Sequence, residues 1–316
     1  MQRIVCIGGG HGLSNLLESF VNESDFSILA ITSVMDSGGS TGEIREKFNT
    51  IALGDLRRAI GALAQNKKLK KIFEERNYIG EMPNNKLKIS NAAMQKIKDK
   101  LKDSKIEHPV GNIFLLGLIL DYGLDKGIQK ACDIMQVNGA VLPVTLSNVD
   151  LVAKLIDGQK IIGETNIDIP KHDGNLKINK LSLTKKANLH PRASKFISES
   201  DIIIIGPGDL YTSVLCNFCI EELQEKIIHS QSKKIWINNL TNKYGETTNF
   251  TCEDYVKEIK NYIGKNVVEY FFCQENTKLP DRKDNIKFVK DDFVTEKNGV
   301  KVHNGRIIID YIRKLT

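Results

Sequence analysis

The sequence has no apolar run long enough to cross a membrane. Its longest, Ile113 to Leu120, is interrupted by Gly117, whereas a spanning helix needs about 20 apolar residues. The run at the N-terminus stops at Gly8, too soon for the apolar segment of a signal peptide, and reads as a first buried strand. The expectation is a cytoplasmic protein without membrane insertion. Cysteine is also scarce: six in 316 residues is no disulfide framework, and a reducing compartment keeps such thiols free. Cys216 and Cys219 form a lone Cys-x-x-Cys inside the apolar stretch Val214 to Ile220. Without a second pair it reads as part of a buried helix rather than a zinc or redox site. Charge of one sign is in short supply, the formal net charge being +6. The lysines of Lys67–Lys71 and Lys96–Lys102 fit solvated helix faces. With no interleaved aromatics they make no nucleic-acid surface, while a mild positive field suits a phosphorylated small ligand.

Common catalytic signatures are missing as well. There is no His-Glu-x-x-His, no Gly-x-Ser-x-Gly elbow and no kinase pattern, which removes the usual hydrolase and kinase readings. No Gly-Lys-Ser/Thr follows the first glycine loop, so it is not a Walker loop. A dinucleotide fingerprint counted from Gly8 fails at Leu13.

What is present is an alternation of short apolar strands with amphipathic helices. Ile4–Ile7 and Phe26–Val34 read as strands around a helix at Leu13–Val21. Helices are expected at Asp55–Gln65, Lys67–Arg76, Asn91–Leu101, Asn112–Tyr122 and Asp125–Met135. Ala140–Leu146, Val149–Ile156 and Lys160–Gly163 read as strands, the last two joined by an Asp157-Gly158 turn. The polar stretch Glu164–Leu189 suggests strands or loops at a sheet edge, after which Ile202–Ile205, Lys234–Ile237 and Val267–Cys273 resume the strand pattern before a helix near Arg306–Lys314. Parallel strands need crossover connections, so the pattern implies an α/β fold with a doubly wound, mainly parallel, Rossmann-like sheet. We expect one domain over 1–316, with a helical cap subdomain inserted at about 66–136.

In such a sheet ligands bind beyond the carboxyl ends of the strands, and several loops fall there. Gly8-Gly9-Gly10-His11-Gly12 lets backbone approach a phosphate at a helix N-terminus, unless it is only a tight turn. Asp36-Ser37-Gly38-Gly39-Ser40-Thr41-Gly42 is richer in glycine and hydroxyls than a turn requires. Its Asp36 sits where a ribose-binding acid sits in dinucleotide folds. In Gly54-Asp55-Leu56-Arg57-Arg58, Asp55 either caps a helix or meets a ligand or metal, and Arg57 offers bidentate contact to phosphate. Asn112, after His108-Pro109-Val110-Gly111, either caps a helix or presents its amide to a base or ribose. Gly206-Pro207-Gly208-Asp209-Leu210-Tyr211-Thr212-Ser213, directly after four isoleucines, suits an anion at a helix N-terminus. Asn238 and Thr241 lie in a last loop, with Glu246 close behind, either a functional carboxylate or a surface residue.

In this order and spacing, these motifs resemble the CofD/YvcK-like family from Gly8 to about Val256. That family contains the 2-phospho-L-lactate transferases and the bacterial gluconeogenesis factors. Leu-Pro-Val-Thr at 142–145 belongs to the same resemblance, and the double glycine at 38–39 and the loop at 206–213 are similar to the second branch. The resemblance implies a cytoplasmic regulator of carbon metabolism and cell-envelope growth that binds a UDP-sugar. Gly9, Gly10, His11, Gly12 and Gly206–Ser213 would hold phosphates, with Asp36, Ser37, Gly38, Gly39, Ser40, Asp55, Arg57, Asn112, Asn238 and Thr241 completing the site. The alternative it implies is a phosphotransferase using a nucleotide diphosphate donor and Mg2+ at Asp36 and Asp55. Asp36, Asp55 and Arg57 would then be catalytic, with Glu246 or His108 as base. The sequence departs from the family pattern in three places: His11 replaces a usual Thr, Ser37 a frequent second Asp, and Asn242-Lys243-Tyr244 a usual Gln-Pro. Association of copies into a homo-oligomer through the cap helices is expected by analogy with other open α/β proteins.

Overall fold

Leu13, Leu16, Leu17 and Phe20 form one apolar stripe at helical spacing. They bury it on the strands either side of their helix. A computed structural model describes residues 1–82, 88–281 and 284–315. The chain opens with β1 (Gln2–Gly8), α1 (Gly10–Phe20) and β2 (Phe26–Thr32). Next come α2 (Gly39–Phe48), α3 (Gly54–Leu63) and α4 (Lys67–Glu74). An antiparallel ladder then pairs β3 (Arg76–Asn77) with β4 (His108–Pro109) around α5 (Asn91–Leu101). The span expected as a cap contains α4 to α6 (Val110–Tyr122) and α7 (Leu124–Met135); its residues 83–87 lie outside the described residues. Val110 to Leu118 of α6 are all buried, which makes it the centre of this helical layer.

β5 (Ala140–Pro143) returns to the sheet. A separate antiparallel sheet of order β7-β6-β8 follows, formed by β6 (Leu151–Leu155), β7 (Lys160–Ile162) and β8 (Ile178–Leu183). The Asp157-Gly158 turn joins the first two, and α8 (Glu164–Asp168) lies within the polar stretch read as strands or loops. The remaining elements are α9 (Pro191–Glu199), β9 (Ile202–Ile205), α10 (Glu221–His229), β10 (Lys233–Ile237), α11 (Cys252–Tyr262), β11 (Tyr270–Gln274) and β12 (Lys287–Asp291). A hairpin of β13 (Val294–Lys297) and β14 (Val300–His303) leads to α12 (Gly305–Lys314).

Seven strands make one sheet in the order β12-β11-β10-β9-β1-β2-β5, and every pairing is parallel. This is the doubly wound α/β architecture expected. The four isoleucines of β9 are fully buried because helices cover both faces of a parallel sheet. From β1 the chain winds outward through β2 and β5, then in the other direction through β9 to β12. The winding reverses between β1 and β9, which pair at Ile4–Ile202 through Ile7–Ile205. Their carboxyl ends carry the two strongest glycine motifs.

Two local expectations are corrected. Residues 39–42, read as loop, are the first turn of α2; Gly and Ser carry poor helix propensity, which hid it. Cys216 and Cys219 sit not on a regular helix but where a π turn, Leu210–Val214, meets a tight turn, Leu215–Cys219. All six cysteines are free. Burial pushes Cys219 up to about 12 and Cys216 well above the ordinary thiol value, so both stay neutral and inert. Among the described residues, no helix is long and apolar enough to cross a membrane.

Candidate functional site

The backbones following β1 and β9 touch. A methyl group at position 12 would lie 2.7 Å from the Pro207 carbonyl oxygen, so only glycine lets the loops close together. Gly10 has φ +65°, and Gly206 and Gly208 also have positive φ, a region that disfavours other residues. Helix α1 starts with no acidic residue in its first turn and no side-chain cap. The helix start, Gly10 to Gly12, lines the cavity with the positive end of the dipole behind it.

The second loop is held from below. Glu246 is buried and accepts the amides of Tyr211 and Thr212 at 2.9 and 3.2 Å and the Thr212 hydroxyl at 2.7 Å. It is neither a surface residue nor part of the cavity wall; it fixes the loop. Lys243 lies beside it. Its ammonium contacts Asp168, reaches Asp209 at 2.8 Å and stands 4.0 Å from Glu246. The oxygens of those three acids lie within 4.8 Å of one another.

Acids gather on the other side of the glycine loop. Asp36 accepts the Gly38 amide at 2.9 Å, and Asp55 takes the Arg58 guanidinium at 2.8 Å. Burial raises Asp55, with Arg58 opposing it. Burial, then the charges of Asp36, Asp168 and Asp55, push Glu164 up to about 8. Arg45 pins the strand end from behind, donating to the carbonyls of Met35, Asp36 and Val149 and to Asn148.

These groups line two adjoining spaces. One, about 510 Å3, is bounded by Gly10, His11, Gly12, Asp36, Asp55, Arg58, Glu164, Asp168, Gly208, Asp209, Thr212, Ser213 and Lys243, among others. The other, about 710 Å3, shares Asp36, Gly38, Gly39 and Arg58 with it and adds Ser40, Arg57, Arg76, Tyr78, Pro109 and Asn112. Burial and the like charges of Arg58 and Arg76 lower Arg57 to about 10. Asn112 is 1% exposed, donates to Ser40 Oγ at 3.1 Å, and its Oδ1 is buried without a hydrogen-bond partner.

Of the residues singled out from sequence, Gly10, His11, Gly12, Asp36, Gly38, Gly39, Ser40, Asp55, Arg57, Asn112, Gly208, Asp209, Thr212 and Ser213 converge on these two spaces. Gly9 packs on Asp55, and Ser37 bonds Thr165. Gly206, Pro207 and Leu210 lie buried beneath the loop. Tyr211 points into the core, edge-on to Phe250 and Tyr262. Asn238 accepts the Trp236 indole N–H at 3.2 Å, and its neighbour Asn239 lines the cavity instead. Thr241 is exposed. Arg76, Glu164, Asp168 and Lys243 were not singled out for function by sequence reasoning. Only the unusual Asn-Lys-Tyr at 242–244 gave a signal.

The family model described as "2-phospho-L-lactate transferase CofD" matches residues 4–308. A Thermotoga maritima protein is 32% identical over 95% of this chain and 88% of its own length. A Nostoc protein is 36% identical over 83% of this chain, which spans about half of that longer protein, 52%. Both are provisionally named gluconeogenesis factors. A crystal structure of a Bacillus halodurans protein superposes with a TM-score of 0.84, at 26% identity over 99% of each chain.

Proposed function

The chain belongs to the CofD family, and from that premise we propose that its cleft binds a nucleotide sugar and acts as a ligand-sensing regulator. One observation carries the reading. The glycine loops at 8–12 and 206–213 meet at the point where the sheet reverses, and Arg57, Arg58 and Arg76 line the adjoining wall. Backbone amides at a helix start and a cluster of guanidiniums together suit a diphosphate. Asn112 lines the same wall, where its amide would meet the nucleoside or sugar. The likeness to gluconeogenesis factors supports a role in carbon metabolism; the nucleotide sugar we propose is a UDP-sugar, sensed in the cytoplasm in connection with cell-envelope growth.

The magnesium-dependent transferase reading draws on Asp36 and Asp55, which line the same cavity. The donor sets do not fit a resident metal. Lys243 fills the three-acid grouping, and Arg58 neutralises Asp55. We therefore propose ligand binding without a metal ion.

The test is a thermal-shift panel on metal-stripped protein with UDP-N-acetylglucosamine, UDP-glucose, GDP, GTP and NAD, each with and without magnesium. A rise with UDP-sugars, indifferent to magnesium, supports the regulator. A magnesium-dependent rise with guanine nucleotides favours the transferase, and no rise with any nucleotide removes the reading.

A further inference from the structure

Ser40 is the second residue of α2 and opens on the arginine-lined space. Asn112 Nδ2 donates to its Oγ at 3.1 Å, which leaves the hydroxyl hydrogen for His108 Nδ1 at 2.9 Å. On the far side of the fully buried ring, His108 Nε2 lies 2.9 Å from Ser104 Oγ. That hydroxyl donates to Glu43 Oε2 at 2.8 Å. Taken in one direction, each hydrogen meets one acceptor: Ser40 to His108, His108 to Ser104, Ser104 to Glu43. The tautomer is assigned from this network. Burial and the nearby Arg76 lower His108, with Glu43 opposing them, which keeps the ring neutral and able to accept a proton. A hydroxyl, a base and a third group that orients the base, here the Ser104 hydroxyl anchored on Glu43, are the parts of an activated nucleophile. Asn112, whose amide holds Ser40 Oγ, lines the same space.

We propose that Ser40 is a nucleophile, with His108 as its base, and that it attacks a phosphorus centre of an anionic phosphoester or phosphoanhydride held by the arginines. The Oγ–P bond forms as the hydroxyl proton passes to His108 Nδ1. The P–O bond to the leaving group breaks, and the leaving oxygen takes the electron pair and then the proton from His108. The products are a phospho-Ser40 ester and the released group. The choice of electrophile rests on the phosphate-ligand reading of the cleft; the nucleophile does not.

An alkyl phosphonofluoridate tests it on the full chain without nucleotide, because Ser40 attack would expel fluoride and leave a mass-tagged serine. The expected result is label on Ser40, formed at least about 10²-fold more slowly in His108→Gln. Glu43→Gln, at the partly exposed end of the chain of hydrogen bonds, also slows it and guards against a folding defect in the first variant. No label on Ser40 under conditions that label a known serine hydrolase overturns the proposal, as do equal rates in wild type and both variants. Label without any nucleotide thermal shift keeps the nucleophile and removes the ligand reading. A nucleotide shift without label does the reverse.

Discussion

The Thr212 hydroxyl donates to the buried carboxylate of Glu246 at 2.7 Å. With two loop amides on the same side chain, Glu246 fixes the turn that places Gly208, Asp209 and Ser213 against the first glycine loop. Glu246→Ala strands three donors and loosens Lys243. It should cost at least about 3 kcal/mol in urea unfolding and abolish nucleotide-induced stabilisation. An unchanged midpoint would show that the loop holds itself.

Glu164 gives a pH signature. Its folded value, about 8, stands above the ordinary 4.5. Its stabilising contribution is therefore complete below pH 4.5 and is lost as the pH rises through 8. The Tm of ligand-free protein should fall over that window, and Glu164→Gln should flatten the slope. Anion affinity should weaken in parallel from pH 7 to 9, because ionised Glu164 adds a negative charge to the cavity. An identical pH slope in the variant would remove Glu164 from this role.

Gly12→Ala tests the contact between the loops. A methyl there meets backbone at 2.7 Å, so relief requires one loop to move rather than a side chain to turn. Overpacking of this kind costs about 1–3 kcal/mol, and nucleotide binding should suffer more than stability. Wild-type affinity in this variant would mean that the two loops do not share a ligand.

Lys243 bears on the metal question. Lys243→Met removes the ammonium from among Asp168, Asp209 and Glu246 and leaves a three-carboxylate site. Mn2+ titration followed by electron paramagnetic resonance should show a new bound ion in the variant and none there in wild type. Wild-type binding at this site would contradict the assignment of Lys243 as its cation.

How much of this was legible follows from where each signal lies along the chain. The tetra-isoleucine run and the stripe of Leu13, Leu16, Leu17 and Phe20 are local patterns, so β9 and α1 could be read directly. Glycine loops after strands marked the cleft for the same reason. Asp168 and Lys243 gave no such pattern, because the Lys243 ammonium meets Asp168 and Asp209 across 75 and 34 residues of sequence. Asp168 sits on α8, inside a stretch whose polarity suggested an edge strand or loop. Asn238 and Asn239 illustrate the limit of a motif: it located the loop after β10, but the first side chain turns back to Trp236 and the second toward Asp209. Tyr211 shows it again, since a tyrosine within a glycine loop serves the core here.

The most direct measurement is calorimetric titration of metal-free protein, in EDTA, with UDP-N-acetylglucosamine, repeated on Arg58→Ala. Saturable binding at one site in wild type, weakened at least about tenfold (1.4 kcal/mol) in the variant, is the expected result. No binding heat in EDTA that appears only once magnesium is restored would contradict a metal-independent nucleotide-sugar site.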